Sequence, residues 1–176
     1  MDVYEAIRTR RSIRRYKPDP IPDEVLKRVL DAARLAPSAN NIQPWKFIVV
    51  KDEKLRKALV PSCWSQDFIG EAPVVIVACG LPTTSRIGGY ASSMLVDVAI
   101  AFDHLTLAAR AEGLGTCWIG AFENEDVKKL LHIPKDVQVV AITPLGHPQH
   151  EPHRAPYRKR LHEMTAVDKF DGHPLG

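Results

Sequence analysis

The sequence has little of what defines several specialised classes of protein. It has three scattered cysteines, Cys63, Cys79 and Cys117, with no C-x-x-C pair, which excludes a disulfide framework and favours a reducing compartment. Aromatic residues make up only 7%, so the core must be mostly aliphatic. No apolar run approaches membrane-spanning length, and residues 1–15 lack the apolar stretch of a secretory signal. We therefore expect a cytoplasmic protein with no membrane partner.

Several common catalytic and metal-binding patterns are also missing. The sequence contains no G-x-x-x-x-G-K-[ST] phosphate loop and no correctly spaced G-x-G-x-x-G motif. His147, His150 and His153 are spaced by three, but Pro148 and Pro152 keep them from forming one face of a helix. A surface loop is therefore favoured over a metal site, and we expect no metal.

The composition indicates an ordinary globular protein. The chain has 176 residues, 45% hydrophobic and 26% charged, which suits one domain with a substantial core. We expect a single domain over 1–176, in which 147–176 forms an extended C-terminal tail rich in Pro, His and Arg.

The positive charge is concentrated near the two chain ends. The net charge of +3 is too small to suggest a polyanion-binding protein. However, Arg8 to Lys17 holds six cations and no acid, and Arg154 to Arg160 holds four more. A small anion held between these stretches fits this pattern better than a long nucleic acid does, so no nucleic-acid partner is expected.

The hydrophobic pattern predicts an α+β fold. The apolar strands are continuous instead of alternating, which is typical of a sheet covered by helices on both faces. The predicted strands are 47–50, 74–79, 116–120 and 137–145. The predicted helices are 2–8, 23–36, 54–60, 92–112 and 124–131.

The predicted helix over 92–112 is apolar on nearly every side, so it must lie in a large core or under a partner subunit. Its acids, Asp97 and Asp103, are expected to be capped, paired or interfacial instead of catalytic. The Pro-, Thr- and Gly-containing segment 81–89 before this helix is predicted to be a mobile loop.

Three segments could bind a ligand. Arg10, Ser12 and Arg14 lie at i, i+2 and i+4 of an extended segment, so their side chains share one side and could bind a phosphate. A solvated basic strand edge and a nucleic-acid arm are the alternatives.

The second segment, 37–45, places hydroxyl and amide groups between a helix end and a buried strand, where they could bind a polar ring edge. In the third, 118–122, Gly120 and Ala121 leave the backbone N–H groups open to a flat ligand. Simple turn chemistry is the alternative for both.

Taken together, four segments in order resemble the nitroreductase family of flavoproteins over nearly the whole chain. They are Arg10-Arg11-Ser12-Ile13-Arg14; Pro37-Ser38 through Asn41-x-Gln43-Pro44-Trp45; Gly113-Leu114-Gly115-Thr116-Cys117-Trp118-Ile119-Gly120-Ala121-Phe122; and Pro144-Leu145-Gly146-His147-Pro148 followed by Arg158. The resemblance implies a central, mostly antiparallel sheet flanked by helices. It also implies an intertwined homodimer built around 92–112, with two FMN molecules at the subunit interface.

The resemblance also implies which residues contact FMN. The phosphate would be held by Arg10, Ser12 and Arg158, assisted by Arg11 or Lys159. Arg14 would face the N1/C2 carbonyl side of the flavin ring, where its charge stabilises the reduced state. The other subunit would contribute Pro37, Ser38, Ala39 and Asn41. The backbone of Ile119, Gly120 and Ala121 would face N5 and O4, and Gln66 matches a position where relatives contact FMN.

The activity implied by the resemblance is carried by flavin N5 and not by a catalytic side chain. NADH or NADPH would give hydride to N5, and a small oxidised acceptor such as a nitroaromatic or quinone would then receive it in a ping-pong cycle. The segments 64–68 and 81–90 would face the substrate. Dehalogenation and flavin cleavage, which other branches of the family perform, stay open as alternatives, as does a non-enzymatic module that binds anions or nucleic acid.

Overall fold

A computed structural model describes residues 1–150 and 157–175. Six helices and six strands are assigned within these ranges. The helices are α1 (Val3–Thr9), α2 (Asp23–Arg34), α3 (Glu53–Ser62), α4 (Phe68–Glu71), α5 (Met94–Ala111) and α6 (Asn124–Leu130). The strands are β1 (Trp45–Val50), β2 (Val74–Gly80), β3 (Arg86–Ile87), β4 (Ala91–Ser92), β5 (Gly115–Thr116) and β6 (Gln138–Gly146).

Four of the strands form one antiparallel sheet in the order β1-β2-β6-β5. Every residue of β2 is buried, as expected for a strand with neighbours on both edges and helices on both faces. The α+β prediction, with an antiparallel central sheet, is therefore confirmed. The predicted main strands and helices differ from the observed ones by one to three residues at most ends, which is the usual uncertainty of element ends.

Helices cover the two faces of the sheet with separate apolar clusters. On one face, Leu59 of α3 and Val127 of α6 pack against Val75 and Val77 of β2. On the other face, α2 and α5 pack against the alternate residues of β2, including Ile76. Successive side chains of β2 point to opposite faces of the sheet, so this one continuous apolar strand contributes residues to both clusters.

The segment 81–89, predicted to be a mobile loop, contains regular structure in its second half. Its second half forms a hairpin, in which β3 pairs with β4 and Gly88 and Gly89 occupy the turn at φ 57° and 74°. The paired glycines reach positive φ without steric cost, and this favours a tight hairpin turn. The Arg86 side chain closes the turn by donating to the carbonyl oxygens of Gly89 and Tyr90, at 3.0 and 2.9 Å.

Helix α5 contacts all four strands of the main sheet and also α1 and α2. Arg28 of α2 donates two hydrogen bonds to Glu112 at the end of α5, both at 2.8 Å. The hydrogen bond from Arg28 lowers the pKa of the Glu112 carboxyl. In the described part of the chain, no helix is both long enough and apolar enough to cross a membrane.

The core assignment can be tested with two leucines one turn apart in α3. Leu59 is fully buried and Leu55 is exposed, so Leu59→Ala leaves a cavity while Leu55→Ala does not. We expect Leu59→Ala to lower the free energy of unfolding by about 2–5 kcal/mol. We expect a change of less than about 0.5 kcal/mol for Leu55→Ala. Urea unfolding of both variants measures this difference, and equal losses would contradict the packing described here.

Candidate functional site

Residues 10–14, called here the arginine segment, lie in extended conformation beside β5. Ser12 forms a parallel bridge with Thr116, and the Ile13 N–H donates to the Thr116 carbonyl oxygen at 2.8 Å. The fit leaves no room for a larger residue at Gly115, where an added Cβ would lie 2.6 Å from Ile13 Cγ1. The arginine segment is therefore attached to the edge of the main sheet.

Burial follows the predicted alternation over residues 12–14 but not at Arg11, which is half-buried like Arg10. Ile13 is buried, whereas Ser12 and Arg14 are exposed and Arg10 is half-buried. Two guanidinium groups and a hydroxyl thus lie on the side away from the core, the arrangement expected of a phosphate site.

The thiol of Cys117 lies beside these groups. Burial raises its pKa, while the charge of Arg14, a hydrogen bond with Ser12 and the charge of Arg10 act in the opposite direction. The net shift is upward, so Cys117 stays a neutral thiol at physiological pH and is not an activated nucleophile. Arg14, Ser12 and Arg10 are therefore near enough to the Cys117 thiol to affect its pKa.

Arg11 and Arg110 both contact the C-terminal end of α1. The Arg11 guanidinium donates to the carbonyl oxygens of Arg8 and Arg10, at 2.6 and 2.7 Å, at the C-terminus of α1. Arg110, near the end of α5, donates to Thr9 Oγ1 at 3.0 Å and lines one narrow crevice with Arg10 and Arg11. In the sequence, Arg110 is only a basic residue in the last turn of a helix, so its place in this crevice could not be foreseen.

The chain continues from β5 along β6 toward Gly120. Gly115 pairs with Gly146, and Ile119 exchanges both backbone hydrogen bonds with Ile142, at 2.9 and 3.1 Å. Gly120 lies four positions after Thr116, about 13 Å along an extended chain at about 3.3 Å per residue. The arginine segment and Gly120 therefore mark the two ends of a strip that suits an elongated ligand.

The backbone at Gly120 is open. Gly120 is exposed, and a Cβ added there would meet no atom within 4 Å. Within the described part of the chain, the amide N–H groups of Gly120 and the half-buried Ala121 have no hydrogen-bond partner. Two adjacent unpaired donors beside open space can bind acceptor atoms on the edge of a flat ring.

Residues 62–66 pack beside this open backbone. Gln66 Nε2 donates to the Cys63 carbonyl oxygen at 3.0 Å and makes a longer contact of 3.5 Å with the Ala121 carbonyl oxygen. The exposed Trp64 donates its indole N–H to Glu123 Oε1 at 2.9 Å. Gln66 and the start of the segment 64–68 thus lie beside Gly120 and Ala121.

Residues 38–43, called here the asparagine loop, form a more ordered structure than their composition predicts. Ala39–Asn41 make one turn of 3-10 helix, and Asn40, Asn41 and Gln43 have positive φ of 51°, 56° and 55°. Ser38 closes the loop on itself, because its Oγ accepts the Gln43 N–H at 2.9 Å and its carbonyl oxygen accepts the Asn41 N–H at 3.0 Å. Pro37, just before the loop, is exposed.

The asparagine loop is attached to α5 far from the arginine segment. The Ala39 N–H donates to Asp97 Oδ1 at 3.0 Å, in the first turn of α5, whereas Thr9 contacts Arg110 in its last turn. Asp97 and Arg110 are 13 residues apart (110 − 97), about 20 Å along a helix that rises about 1.5 Å per residue. Within one protomer, these two predicted parts of the site are therefore not brought together.

The predicted basic partners in the tail are not part of the cluster around Cys117. Arg158 and Lys159 are exposed, and Arg158 donates to the Tyr157 carbonyl oxygen at 3.1 Å. Among the described residues, neither is in recorded contact with the arginine segment. Arg154 and His153 lie outside the described residues. Over 1–150 and 157–175, no group of three His, Cys, Asp or Glu side chains is arranged to hold a metal ion.

The comparison with protein families identifies the class to which this fold and site belong. The model of the Nitroreductase family matches residues 7–66 and 61–147. The chain therefore belongs to the Nitroreductase family, as the four ordered motifs indicate.

Individual relatives agree with this assignment. A protein of Methanothermobacter thermautotrophicus, whose name proposes an NADH dehydrogenase or NAD(P)H nitroreductase, is 36% identical over 156 residues, 86% of this chain and 80% of its own. A crystal structure of a nitroreductase family protein from Clostridium novyi NT superposes with a TM-score of 0.82 at 35% identity, over 98% of this chain and 97% of that one. An iodotyrosine deiodinase bound to FMN and 3-iodo-L-tyrosine superposes with a TM-score of 0.82 at 25% identity, over 96% of this chain and 100% of that one.

Proposed function

We propose that this chain is an FMN-dependent oxidoreductase that takes hydride from NADH or NADPH and passes it to a small oxidised acceptor. The observation that carries the proposal is the strip that runs from β5 to Ala121, with the arginine segment at one end and the open amides of Gly120 and Ala121 at the other. The arginine segment provides a grip for a phosphate, and the backbone that continues from β5 provides a surface for a flat ring. Membership of the Nitroreductase family and the FMN-bound relative support this interpretation.

The chemistry of these residues fits FMN. Arg10 and Ser12 supply the charge-assisted hydrogen bonds that a phosphate needs, and Arg14 supplies a positive charge beside the ring. The paired amide donors at Gly120 and Ala121 suit the N5 and O4 edge of a flavin. When bound, FMN supplies an atom that accepts and returns hydride, so the protein needs no nucleophile or general base of its own.

The side chains have different tasks in this proposal. Arg10 and Ser12 hold the phosphate and so fix the position of the ring along the strip. Arg14 stabilises negative charge that develops on the ring, because a guanidinium is always protonated. Gly120 and Ala121 orient the ring by hydrogen bonds that a side chain at residue 120 would obstruct.

A second copy of the chain would complete the site. The outward face of α5 carries Leu95 and Val96, which are 50% and 46% exposed, and the half-buried Ile100 and Leu107. A groove of about 400 Å³ between α1 and α5 adjoins this face. Exposed apolar side chains grouped on one helix, here with the charged Asp103 among them, favour a protein interface.

The geometry of α5 favours a two-fold pairing. The asparagine loop and the arginine segment lie at opposite ends of the helix, so two antiparallel copies of α5 would bring the loop of one copy toward the arginine segment of the other. Pro37, Ser38, Ala39 and Asn41 of the partner subunit would then contact the FMN held by Arg10 and Ser12. The tail residues Arg158 and Lys159 stay candidates for further phosphate contacts.

The nicotinamide and the acceptor would use the same open space over Gly120, one after the other. A single exposed slot permits a ping-pong cycle and a range of flat acceptors, of which nitroaromatics and quinones are the classes we propose. Trp64 borders this slot through its hydrogen bond to Glu123.

The first test is whether the purified protein carries FMN. We expect the visible absorption of bound flavin, loss of that absorption when NADH or NADPH is added without oxygen, and its return when a quinone or nitroaromatic is supplied. A matched sample without nicotinamide is the control. A colourless protein that takes up no FMN on reconstitution would refute the proposal, and reduction without turnover of either acceptor class would refute the acceptor assignment.

The division of tasks between two arginines gives a second test. Arg10→Ala should weaken FMN binding about 10- to 100-fold, because a hydrogen bond to a charged group contributes about 1.5–3 kcal/mol. Arg14→Ala should retain most of the affinity but make the flavin midpoint potential more negative, by about 30 mV for each 1.4 kcal/mol lost from a two-electron couple. FMN titration and redox titration measure the two effects. Arg15→Ala is the matched control for lost charge, and identical behaviour of the Arg10 and Arg14 variants would contradict the assignment.

The proposed dimer gives a third test. Leu95→Lys places a charge on the apolar face of α5, so we expect the variant to be monomeric and to lose FMN. Leu55→Lys, on the exposed side of α3, introduces the same change away from that face and should leave both properties intact. Light scattering gives the mass and absorbance gives the FMN content. A monomeric Leu95→Lys variant that retains FMN would show that one protomer suffices.

A further inference from the structure

Asp97 is an acid that the flavin chemistry does not use, and it lies in an unusual place. It is 4% exposed in the first turn of the mainly apolar helix α5, between residues that pack on the sheet. A buried carboxylate is costly unless hydrogen bonds stabilise it. Asp97 Oδ1 accepts the Ala39 N–H at 3.0 Å. Within the described residues, Asp97 Oδ2 has no hydrogen-bond partner, nor does the Oγ of Ser93 one turn earlier.

The position of Asp97 in the helix explains how its charge is tolerated. Helix α5 begins at Met94, so Asp97 lies in the first turn, where the helix dipole favours a negative charge. An exposed acid in the first turn would interact with the helix dipole as well, so the dipole does not explain why Asp97 is buried. The inward direction of Asp97 and its bond to a distant backbone N–H therefore call for a further explanation.

The asparagine loop needs support from outside. Positive φ is uncommon at non-glycine residues, although asparagine adopts it more often than most. Such conformations persist only where the surrounding structure stabilises them. Ser38 holds the loop from within, through its hydrogen bonds to Gln43 and Asn41. From outside, Asn40 Nδ2 donates to Ser85 Oγ at 3.2 Å, and Asp97 holds Ala39. The bond to Asp97 falls directly before the first positive-φ residue, Asn40.

We propose that Asp97 is a positioning residue for FMN binding. Its carboxylate fixes the Ala39 N–H and so holds the asparagine loop in the shape in which Ala39 and Asn41 reach the FMN of the second copy. Asp97 acts through Ala39 and does not itself touch the flavin. This inference rests on the proposed function, because it assigns Asp97 to that same site.

Two substitutions at Asp97 distinguish loss of the hydrogen-bond acceptor from loss of the negative charge. Asp97→Asn keeps an oxygen that can accept the Ala39 N–H, whereas Asp97→Ala removes it. We expect Asp97→Ala to weaken FMN binding to the apoprotein at least tenfold and Asp97→Asn to stay within threefold of the native affinity. Fluorescence titration of apoprotein with FMN measures both values.

Hydrogen exchange on the apoprotein gives a readout independent of flavin. We expect Asp97→Ala to accelerate exchange of the amides of residues 39–43 while the amides of β2 and β6 keep their native protection. Asp97→Asn should restore slow exchange in the loop. A merely structural role in the core would instead loosen α5 and the strands beneath it.

A control in the same helix accounts for general loss of packing. Thr106 is buried in α5, and its hydroxyl donates to the Asp103 carbonyl oxygen within the same helix. Thr106→Val should therefore lower stability without changing FMN affinity. If Asp97→Ala does not fold, Ala39→Pro removes the same hydrogen bond from the donor side. The extended Ser38, at φ −145° and ψ 159°, is compatible with a following proline.

The outcomes distinguish this inference from the function on which it rests. Native protein that binds no FMN would refute the proposed function. If the native protein binds FMN and the Asp97→Ala variant binds it equally well, the role of Asp97 is refuted and the proposed function is not. Equal weakening by Thr106→Val and Asp97→Ala would also refute it, as would unchanged exchange in residues 39–43.

Discussion

The short strand β5 is the element on which the site depends, because it pairs on both of its edges. On one edge, Gly115 and Thr116 pair with β6 and so with the main sheet. On the other, Thr116 accepts the Ile13 N–H and thereby fixes the arginine segment. The small size of Gly115 is part of this arrangement, since Ile13 occupies the space of a side chain there. A strand of two residues thus attaches an exposed basic segment to the main sheet.

Helix α5 imposes the second constraint. Its inner face covers the sheet, and its outer face carries apolar residues that one protomer leaves exposed. The loop near its first turn and the arginines near its last turn are about 20 Å apart along the axis. Groups so far apart cannot hold the same end of one ligand within a protomer. The exposed face and the divided site are therefore two consequences of the same helix, and both favour a second copy.

Much of this could be predicted from local sequence, and the remainder could not for identifiable reasons. The strands and main helices follow from apolar periodicity, and the common side of Arg10, Ser12 and Arg14 follows from the period of an extended chain. The hairpin of β3 and β4 does not follow from the sequence, because two glycines suggest a loop as readily as a tight turn. The sequence predicts no part in the site for Arg110 and Asp97, because their partners, Thr9 and Ala39, are 101 and 58 residues away in the chain. Such pairings depend on tertiary packing, which local patterns do not encode.

The site also explains why sequence motifs alone do not specify the acceptor. In the proposed function, its recognisable residues would hold a phosphate and orient a ring, tasks that do not depend on which molecule is reduced. A structural relative with the same fold is a deiodinase bound to 3-iodo-L-tyrosine. In the proposed function, selectivity would instead come from groups around the open space over Gly120. Trp64 is one such group, since its indole N–H is bonded to Glu123 and its side chain is exposed. A substitution at that position would change the shape of the open space without changing the residues proposed to bind the phosphate. Proteins with the same binding motifs could therefore act on different acceptors.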